Sequence, residues 1–310
     1  MHIEVKAHNL VNLEKGELER ALQKDFNLLI NLQEKIIHGY SSQVYRAILA
    51  DKIVYVRINK KAEKFEAEIL GYELFKKLGI PTPELIAYQR SPTTIGQPTI
   101  IISAAEGQAL GDVHLSPEDK IVVYKKIGQM MRKIHSIKLP GFGDLKTSGG
   151  ELQGQFSTWR AYWESTKRHN QKSVDYLLVK NLITREEAKV IKRVHDEIGQ
   201  SNVGVASLLH KDISQSHVFI KGTDISGVID FGGIIAGDPR LDIAMSLAFQ
   251  KTFVSEAFKE GYGAPANDPL VLKYLIVIVT DKAAFRHKLA LNDGSERVLK
   301  ILHDTIPQVA

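Results

Sequence analysis

The 310-residue chain contains no cysteine. Disulfides and thiol chemistry are thereby excluded, and a cytoplasmic location is expected. Long apolar runs are also missing. The longest, Tyr274 to Val279 with Leu270 to Leu272 before it, is broken by Lys273. A bilayer span needs roughly 20 apolar residues, so this stretch reads as a buried helix and no membrane partner is expected. The N-terminal residues Met1-His2-Ile3-Glu4-Val5-Lys6 show no basic region followed by an apolar core, so no secretory signal is expected. There is no block of like charge. The 41 Lys and Arg against 36 Asp and Glu leave a scattered +5, which argues against a nucleic-acid partner. No obligate protein partner is inferred, and there is no internal repeat or low-complexity segment. What is present is ordinary globular composition, 44% apolar and 25% charged, in a length that allows one or two cores.

The chain is organised around Leu208 to Asp242, LLHKDISQSHVFIKGTDISGVIDFGGIIAGDPRLD. Two short apolar runs, Val218-Phe219-Ile220 and Ser226-Gly227-Val228-Ile229, flank the turn residues Lys221-Gly222-Thr223-Asp224 and predict a hairpin. His210 and Asp212 precede it, His217 stands at its entry and Asp230 at its exit. A hairpin would bring Asp212, His217 and Asp230 to one end. Two carboxylates and an imidazole there suit a divalent metal and a proton transfer.

His210-x-Asp212, then His217, then Asp230-Phe231-Gly232 resembles the catalytic and metal-binding segment of the aminoglycoside phosphotransferase family of small-molecule kinases. The protein-kinase pattern is H-R-D-x-x-x-x-N followed by D-F-G, so Asp212 to His217 has the Asp-to-Asn spacing with His in place of Asn. The continuation Gly237-Asp238-Pro239-Arg240-Leu241-Asp242 is similar to the small-molecule branch and foreign to protein kinases. The resemblance implies an α+β, bilobal, protein-kinase-like fold. An antiparallel-sheet N-lobe would occupy residues 1–104 and a mainly helical C-lobe residues 105–310.

The rest of the chain suits that reading. Leu18, Leu22, Phe26 and Leu29 recur at helical spacing within residues 13–29. Short strands follow at Ile36-Ile37, Val44-Tyr45 and Ile53 to Val56. Gly39, Ser41 and Ser42, in the loop between the first two, could donate to nucleotide phosphates; an ordinary hairpin turn fits them equally well. Arg57 stands where protein kinases place a phosphate-pairing lysine, and its planar fork can bind phosphate. A helix over residues 61–78 ends at Gly79-Ile80-Pro81. Glu68 falls among Phe65, Ile69, Tyr72 and Phe75 on its apolar face, where an unpaired carboxylate is costly. Arg57 is the suitable partner.

Strands are expected at Leu85 to Tyr88 and Thr99 to Ile102. The small residues Ser103-Ala104-Ala105-Glu106-Gly107 then look like an interlobe hinge. The resemblance implies that the Ser103 carbonyl and the Ala105 amide bind the adenine. Ser116-Pro117-Glu118-Asp119 starts a helix. His135 at the end of that helix is expected to be structural. Pro140 to Leu145 resembles a family loop with no assigned role. Trp159, Tyr162 and Trp163 suit a helix core or a pocket wall. Further helices are expected over 185–199, 239–262, 269–290 and 296–303.

On the resemblance, Asp212 is the base that orients the acceptor hydroxyl, and Asp230 binds Mg2+. His217 either ligates a second metal or braces Asp212; imidazole is a softer ligand than magnesium prefers. His210 and Asp242 brace the catalytic loop. The donor is ATP or GTP and the acceptor a small molecule with a hydroxyl, with an aminoglycoside or related antibiotic the leading expectation. Glu256, Glu260 and Asp281 are the acidic candidates for its amines. A metabolite kinase and a nucleotide-binding pseudokinase remain as alternatives.

Overall fold

The protein is described by a computed structural model covering residues 10–36, 42–148, 151–248 and 252–309. In chain order the elements begin α1 (Lys15–Phe26), β1 (Asn31–Ile36), β2 (Gln43–Leu49), β3 (Lys52–Ile58), α2 (Ala62–Lys77), β4 (Leu85–Gln89), β5 (Thr99–Ser103), β6 (Gln108–Ala109) and α3 (Pro117–Ile134). They continue β7 (Lys138–Leu139), β8 (Phe142–Ser148), β9 (Glu151–Phe156), α4 (Trp159–Val179), α5 (Arg185–Gln200), β10 (Ala206–Leu209), β11 (Val218–Lys221), β12 (Asp224–Val228) and β13 (Ile235–Gly237). The chain closes with α6 (Pro239–Leu247), α7 (Thr252–Tyr262), α8 (Leu270–Lys288) and α9 (Asn292–Thr305). Two compact units emerge: Met1–Val113 with Ser216–Gly233, and His114–Gln215 with Ile234–Ala310. The first is built on antiparallel sheet and the second is mainly helical, which is the kinase-like α+β arrangement.

In the first unit the five strands run antiparallel in the order β1-β2-β3-β5-β4. Alternation decides which face is buried: Val54, Val56 and Ile58 of β3 are sealed, while Lys52 and Ile53 are exposed. Helix α1 lays Leu18, Ala21 and Leu22 on the core that contains Val54 and Val56. A reciprocal capping box between Glu14 and Glu17 fixes its start, and Asn27 in the left-handed region ends it. Helix α2 buries Phe65, Glu68, Tyr72 and Phe75. The β11–β12 hairpin pairs with β6 as a second small sheet, β12-β11-β6.

In the second unit Ser116 caps α3 by accepting from the Asp119 amide at 3.0 Å, with Pro117 in the first turn. Thr184 and Glu187 form a capping box on α5. Gly128 lets α3 meet α7, because a Cβ there would stand 2.2 Å from the Phe258 carbonyl. The sheet order is β7-β10-β13-β8-β9. Residues 140–145, read from sequence as a loop, enter strand β8, which pairs with β9 and β13. Positive φ at Gly141 and Gly143 and the polar make-up of β8 and β9 hide the usual strand alternation. The tryptophan pair is core: Trp159 and Trp163 stack at 5.4 Å and both are sealed from solvent. No helix among the described residues is long and apolar enough to cross a membrane.

Candidate active site

The first unit gathers one charged array. Arg57 lies one residue from the end of β3, paired across the sheet with Ile100, so its side chain is fixed by the ladder. Its guanidinium makes a short ion pair with Glu68 of α2 and stands 4.0 Å from Asp230. Glu68 is 1% exposed, and its Oε1 also accepts from the Tyr72 hydroxyl at 2.5 Å. Burial opposes the charge on Arg57, but Glu68 and Asp230 outweigh it and hold its pKa above the ordinary value. Burial and the Glu68 carboxylate push the Tyr72 phenol up, so it stays a donor.

Asp230 leaves the hairpin with φ +68°, a conformation most side chains avoid. Two contacts hold it there. The Ile229 amide donates to the His217 carbonyl at 3.0 Å. Phe231 is wedged against Tyr72 and Phe75, at ring distances of 5.2 and 4.4 Å, and against Gly71, where a Cβ would sit 2.3 Å from that of Phe231. The Asp230 carboxylate remains 40% exposed, and its Oδ2 faces the His217 Nε2 at 3.7 Å. Arg57, Glu68, His217 and Asp230 are thus brought together. A carboxylate open to solvent beside an imidazole and a fixed guanidinium can hold a cation on one side and anionic oxygens on the other.

The other nucleotide-binding expectations in this unit fare differently. Gly39 and Ser41 lie outside the described residues. Ser42 is buried, and its hydroxyl oxygen accepts from the Asn59 amide at 3.0 Å. Ser103 ends β5; its amide donates to the Glu84 carbonyl and its hydroxyl accepts from the Glu84 amide. Ala105 packs against β12, because a Cβ on Gly227 would stand 2.9 Å from the Ala105 methyl.

In the second unit Asp212 follows β10 in a loop pinned from behind. Asp242, 1% exposed on α6, accepts from the His210 and Lys211 amides, both at 2.7 Å. His135 reaches the same carboxylate at 3.2 Å and bonds the Tyr262 hydroxyl at 2.8 Å with its other nitrogen. The Asp212 amide donates back to the His210 ring at 3.3 Å, with Lys211 between them at φ +71°. His210 is fully buried. These contacts fix the backbone of the loop and leave Asp212 at its partly exposed end.

The acidic candidates for an acceptor are scattered. Glu256 pairs with Lys259 at 2.9 Å and Glu260 makes a short pair with Lys125, all on α7 and α3. Asp281, on α8, accepts from Asn170 at 3.3 Å. Burial raises its pKa, opposed by Ser173, His169 and Asn170. One neighbour of Asp212 escaped sequence reasoning. Lys282 of α8 lies within electrostatic reach of the Asp212 carboxylate. Seventy positions separate the two, and no local pattern joins them.

A family model described as "Phosphotransferase enzyme family" matches residues 33–274. No curated protein matches the chain. Among solved structures, the apo form of a thermostable mutant of aminoglycoside phosphotransferase APH(4)-Ia is 18% identical, with a TM-score of 0.73 over 94% of this chain and 99% of that one. A ternary complex of that phosphotransferase with ADP and hygromycin B gives 17% identity and 0.72 over 95% and 99%. The GDP complex of wild-type aminoglycoside 2'-phosphotransferase-IIIa gives 14% and 0.69 over 96% and 99%. At these identities the likeness to solved structures is one of fold.

Proposed function

The chain belongs to the phosphotransferase enzyme family and is a small-molecule kinase, and from that premise we propose that it moves the γ-phosphoryl group of ATP or GTP to a hydroxyl of its acceptor. The observation that carries this reading is the charged row Glu68–Arg57–Asp230–His217 in the first unit. Phosphoryl transfer asks little covalent chemistry of a protein; it asks for positioning and charge stabilisation. Arg57, locked by Glu68, presents a fixed fork to phosphate oxygens. Asp230 would hold magnesium, and the exposed carboxylate oxygens suit that hard cation. His217 fits less well as a ligand, because magnesium prefers oxygen. Magnesium, when bound, neutralises charge on the donor phosphates.

Asp212 is the base in this proposal. It orients the acceptor hydroxyl and takes its proton as the bond to phosphorus forms. His210 and Asp242 hold its loop in place. Residues 1–104 then serve the donor, with the Ser103 carbonyl recognising the base together with the Ala105 amide just beyond them, and Gly39, Ser41 and Ser42 the phosphates. Residues 105–310 serve catalysis and the acceptor. Complexes of the structural neighbours with ADP and with GDP support a nucleotide donor without choosing between ATP and GTP. For the acceptor, hygromycin B in one neighbour and kanamycin in another support an aminoglycoside or related antibiotic. A metabolite acceptor is the second reading. It is favoured by Glu256 and Glu260 already facing lysines, and by a lysine beside Asp212.

The test is phosphate transfer from ATP and from GTP, with magnesium, to aminoglycosides, macrolides, choline, homoserine and simple sugars. Wild type runs beside Asp212→Ala and Asp230→Ala. Acceptor-dependent turnover lost in both variants is the expected result. Slow nucleotide hydrolysis unchanged in Asp212→Ala would overturn the assignment of the base and favour a binding-only protein.

A further inference from the structure

Lys211 stands in a strained conformation, φ +71°, between the fully buried His210 and Asp212. An L side chain in that region crowds its own carbonyl. Glycine is the usual occupant, with asparagine and aspartate next. The conformation has a local purpose. It turns two successive amides, those of His210 and Lys211, onto the one Asp242 carboxylate, each at 2.7 Å. Glycine would make the same turn without strain. A lysine there is therefore explained by its side chain and not by its backbone.

That side chain is held at its far end. The Lys211 Nζ donates to the Tyr162 hydroxyl at 3.3 Å. The phenol is itself firmly placed. Tyr162 is buried in the first turn of α4, which Thr158 caps by accepting from the Ala161 amide at 3.1 Å. Trp159 and Phe156 pack on its ring at 5.3 and 5.9 Å. Gly143 of β8, with φ +87°, clears space for it, because a Cβ there would stand 2.7 Å from a ring carbon. The β8–β9 hairpin and α4 thus build a seat for one phenol, and the phenol seats the lysine.

On the reading of Asp212 as the base, we propose that Lys211 is its positioning residue: the Lys211–Tyr162 strut sets where the Asp212 carboxylate stands. Lys211 is gripped by its amide at Asp242 and by its ammonium at Tyr162. On the other side of Asp212, Ile213 is buried. Asp212 is therefore carried between two anchored neighbours. Misplacing a reacting group by about 1 Å can cost roughly 10²-fold in rate. Strain of this kind gathers at functional sites, where the surrounding contacts hold it in place.

The experiment uses the full chain. Transfer from ATP with magnesium is measured on kanamycin, choline, homoserine and glucose. Thermal unfolding and amide hydrogen exchange at residues 210–212 are read on the same samples. Lys211→Gly removes the strain and the strut together. Its unfolding temperature should be at or above that of wild type, while kcat falls by about tenfold or more and both KM values stay within about threefold. Tyr162→Phe keeps the ring packing and removes only the hydroxyl. It should lose kcat to a similar extent, and the double variant should lose no more than either alone. Lys211→Arg, which still reaches the phenol, should restore kcat to within about threefold of wild type. Exchange at residues 210–212 should quicken by about tenfold or more in Lys211→Gly and in Tyr162→Phe, whichever acceptor turns over.

An Asp212→Asn background tells failure of the strut from failure of the base. Within it Lys211→Gly should lower turnover no further, because the lysine acts through the carboxylate. Wild-type turnover in Asp212→Asn would overturn the base and the strut with it. Loss of turnover in Asp212→Asn beside wild-type kcat in Lys211→Gly would overturn the strut alone. An unfolding temperature that falls in step with kcat, or unchanged exchange at residues 210–212, would leave Lys211 a structural residue and overturn the proposal.

Discussion

Replacing Glu68 tests whether the Arg57–Glu68 pair holds phosphate or only holds the fold. Glu68 is 1% exposed and the Arg57 side chain 16%. Removing one partner of a buried pair costs about 3–5 kcal/mol, because the other charge is left stranded. Glu68→Gln keeps the volume and an acceptor for Tyr72, so the low end, about 3 kcal/mol, is expected. That corresponds to a fall in Tm of roughly 6–12 °C. Among the described residues, the carboxylate that still pairs with the stranded guanidinium is Asp230, at 4.0 Å. Attraction at that distance is about 4 kcal/mol in a medium of intermediate dielectric, before desolvation. Arg57 should therefore move onto Asp230 and compete with magnesium there.

The predicted signature is a rise of at least tenfold in the magnesium concentration for half-maximal turnover, which is about 1.4 kcal/mol and a modest share of that attraction. The double variant Arg57→Met, Glu68→Leu separates the two roles. An apolar pair of similar volume removes the stranded charge but takes the acceptor from the buried Tyr72 hydroxyl, at about 1–3 kcal/mol, so stability should recover only in part. Turnover should stay at least a hundredfold down, because no fork meets the phosphates. Thermal unfolding and steady-state phosphate transfer read the two quantities on the same samples. Double-variant turnover within tenfold of wild type would refute the phosphate role and leave the pair structural.

Gly71→Ala should lower turnover although it improves helix propensity, because its methyl meets Phe231 and must displace Asp230. Unchanged magnesium dependence in that variant would refute the coupling. Asp212→Asn should cut kcat by about 10²–10⁴ with nucleotide affinity preserved, as measured by transfer rate and calorimetry. Asp281→Asn should raise the Tm at neutral pH. Its folded pKa is raised by burial, so stability present below the unfolded pKa is lost as pH rises through the folded one, and the amide escapes that loss. Thermal scans from pH 3 to 8 check this; an equal gain at pH 3 would refute it.

Much of the fold was legible because its signals are local. The hairpin at residues 218–228 announces itself by two β-branched runs and a turn, and α2 by its apolar face and Gly-Ile-Pro stop. The Arg57–Glu68 pair could be anticipated because burial of one charge demands another. The β8–β9 hairpin was not legible. Its strands are polar and glycine-bearing, and pairing rather than apolar alternation holds them. The nearness of Lys282 to Asp212 is likewise set by packing of α8 in the second unit, which no spacing rule encodes. Spacing also cannot tell which acid is engaged: Glu256 and Glu260 differ from Asp281 only once their lysine partners are placed.

The same distinction decides among the aspartates of the central segment. Five aspartates fall within 31 residues; Asp224 is an exposed residue of the hairpin turn, and the other four, Asp212, Asp230, Asp238 and Asp242, look alike as letters. Burial divides them. Asp238 and Asp242 are each 1% exposed. Asp238 is filled by the Arg240 guanidinium and the Tyr274 hydroxyl, and Asp242 by two backbone amides and His135. A carboxylate whose oxygens are so occupied in a sealed site has no capacity for a ligand, and removing it strands several donors at once. Asp230 keeps 40% of its side chain open. The two kinds should therefore fail differently. Asp242→Asn should lower stability and carry activity down with it, whereas Asp230→Asn should leave the unfolding transition near wild type and remove transfer. Loss of folding in Asp230→Asn, or transfer surviving there, would show that the division by burial does not mark which aspartates do chemistry.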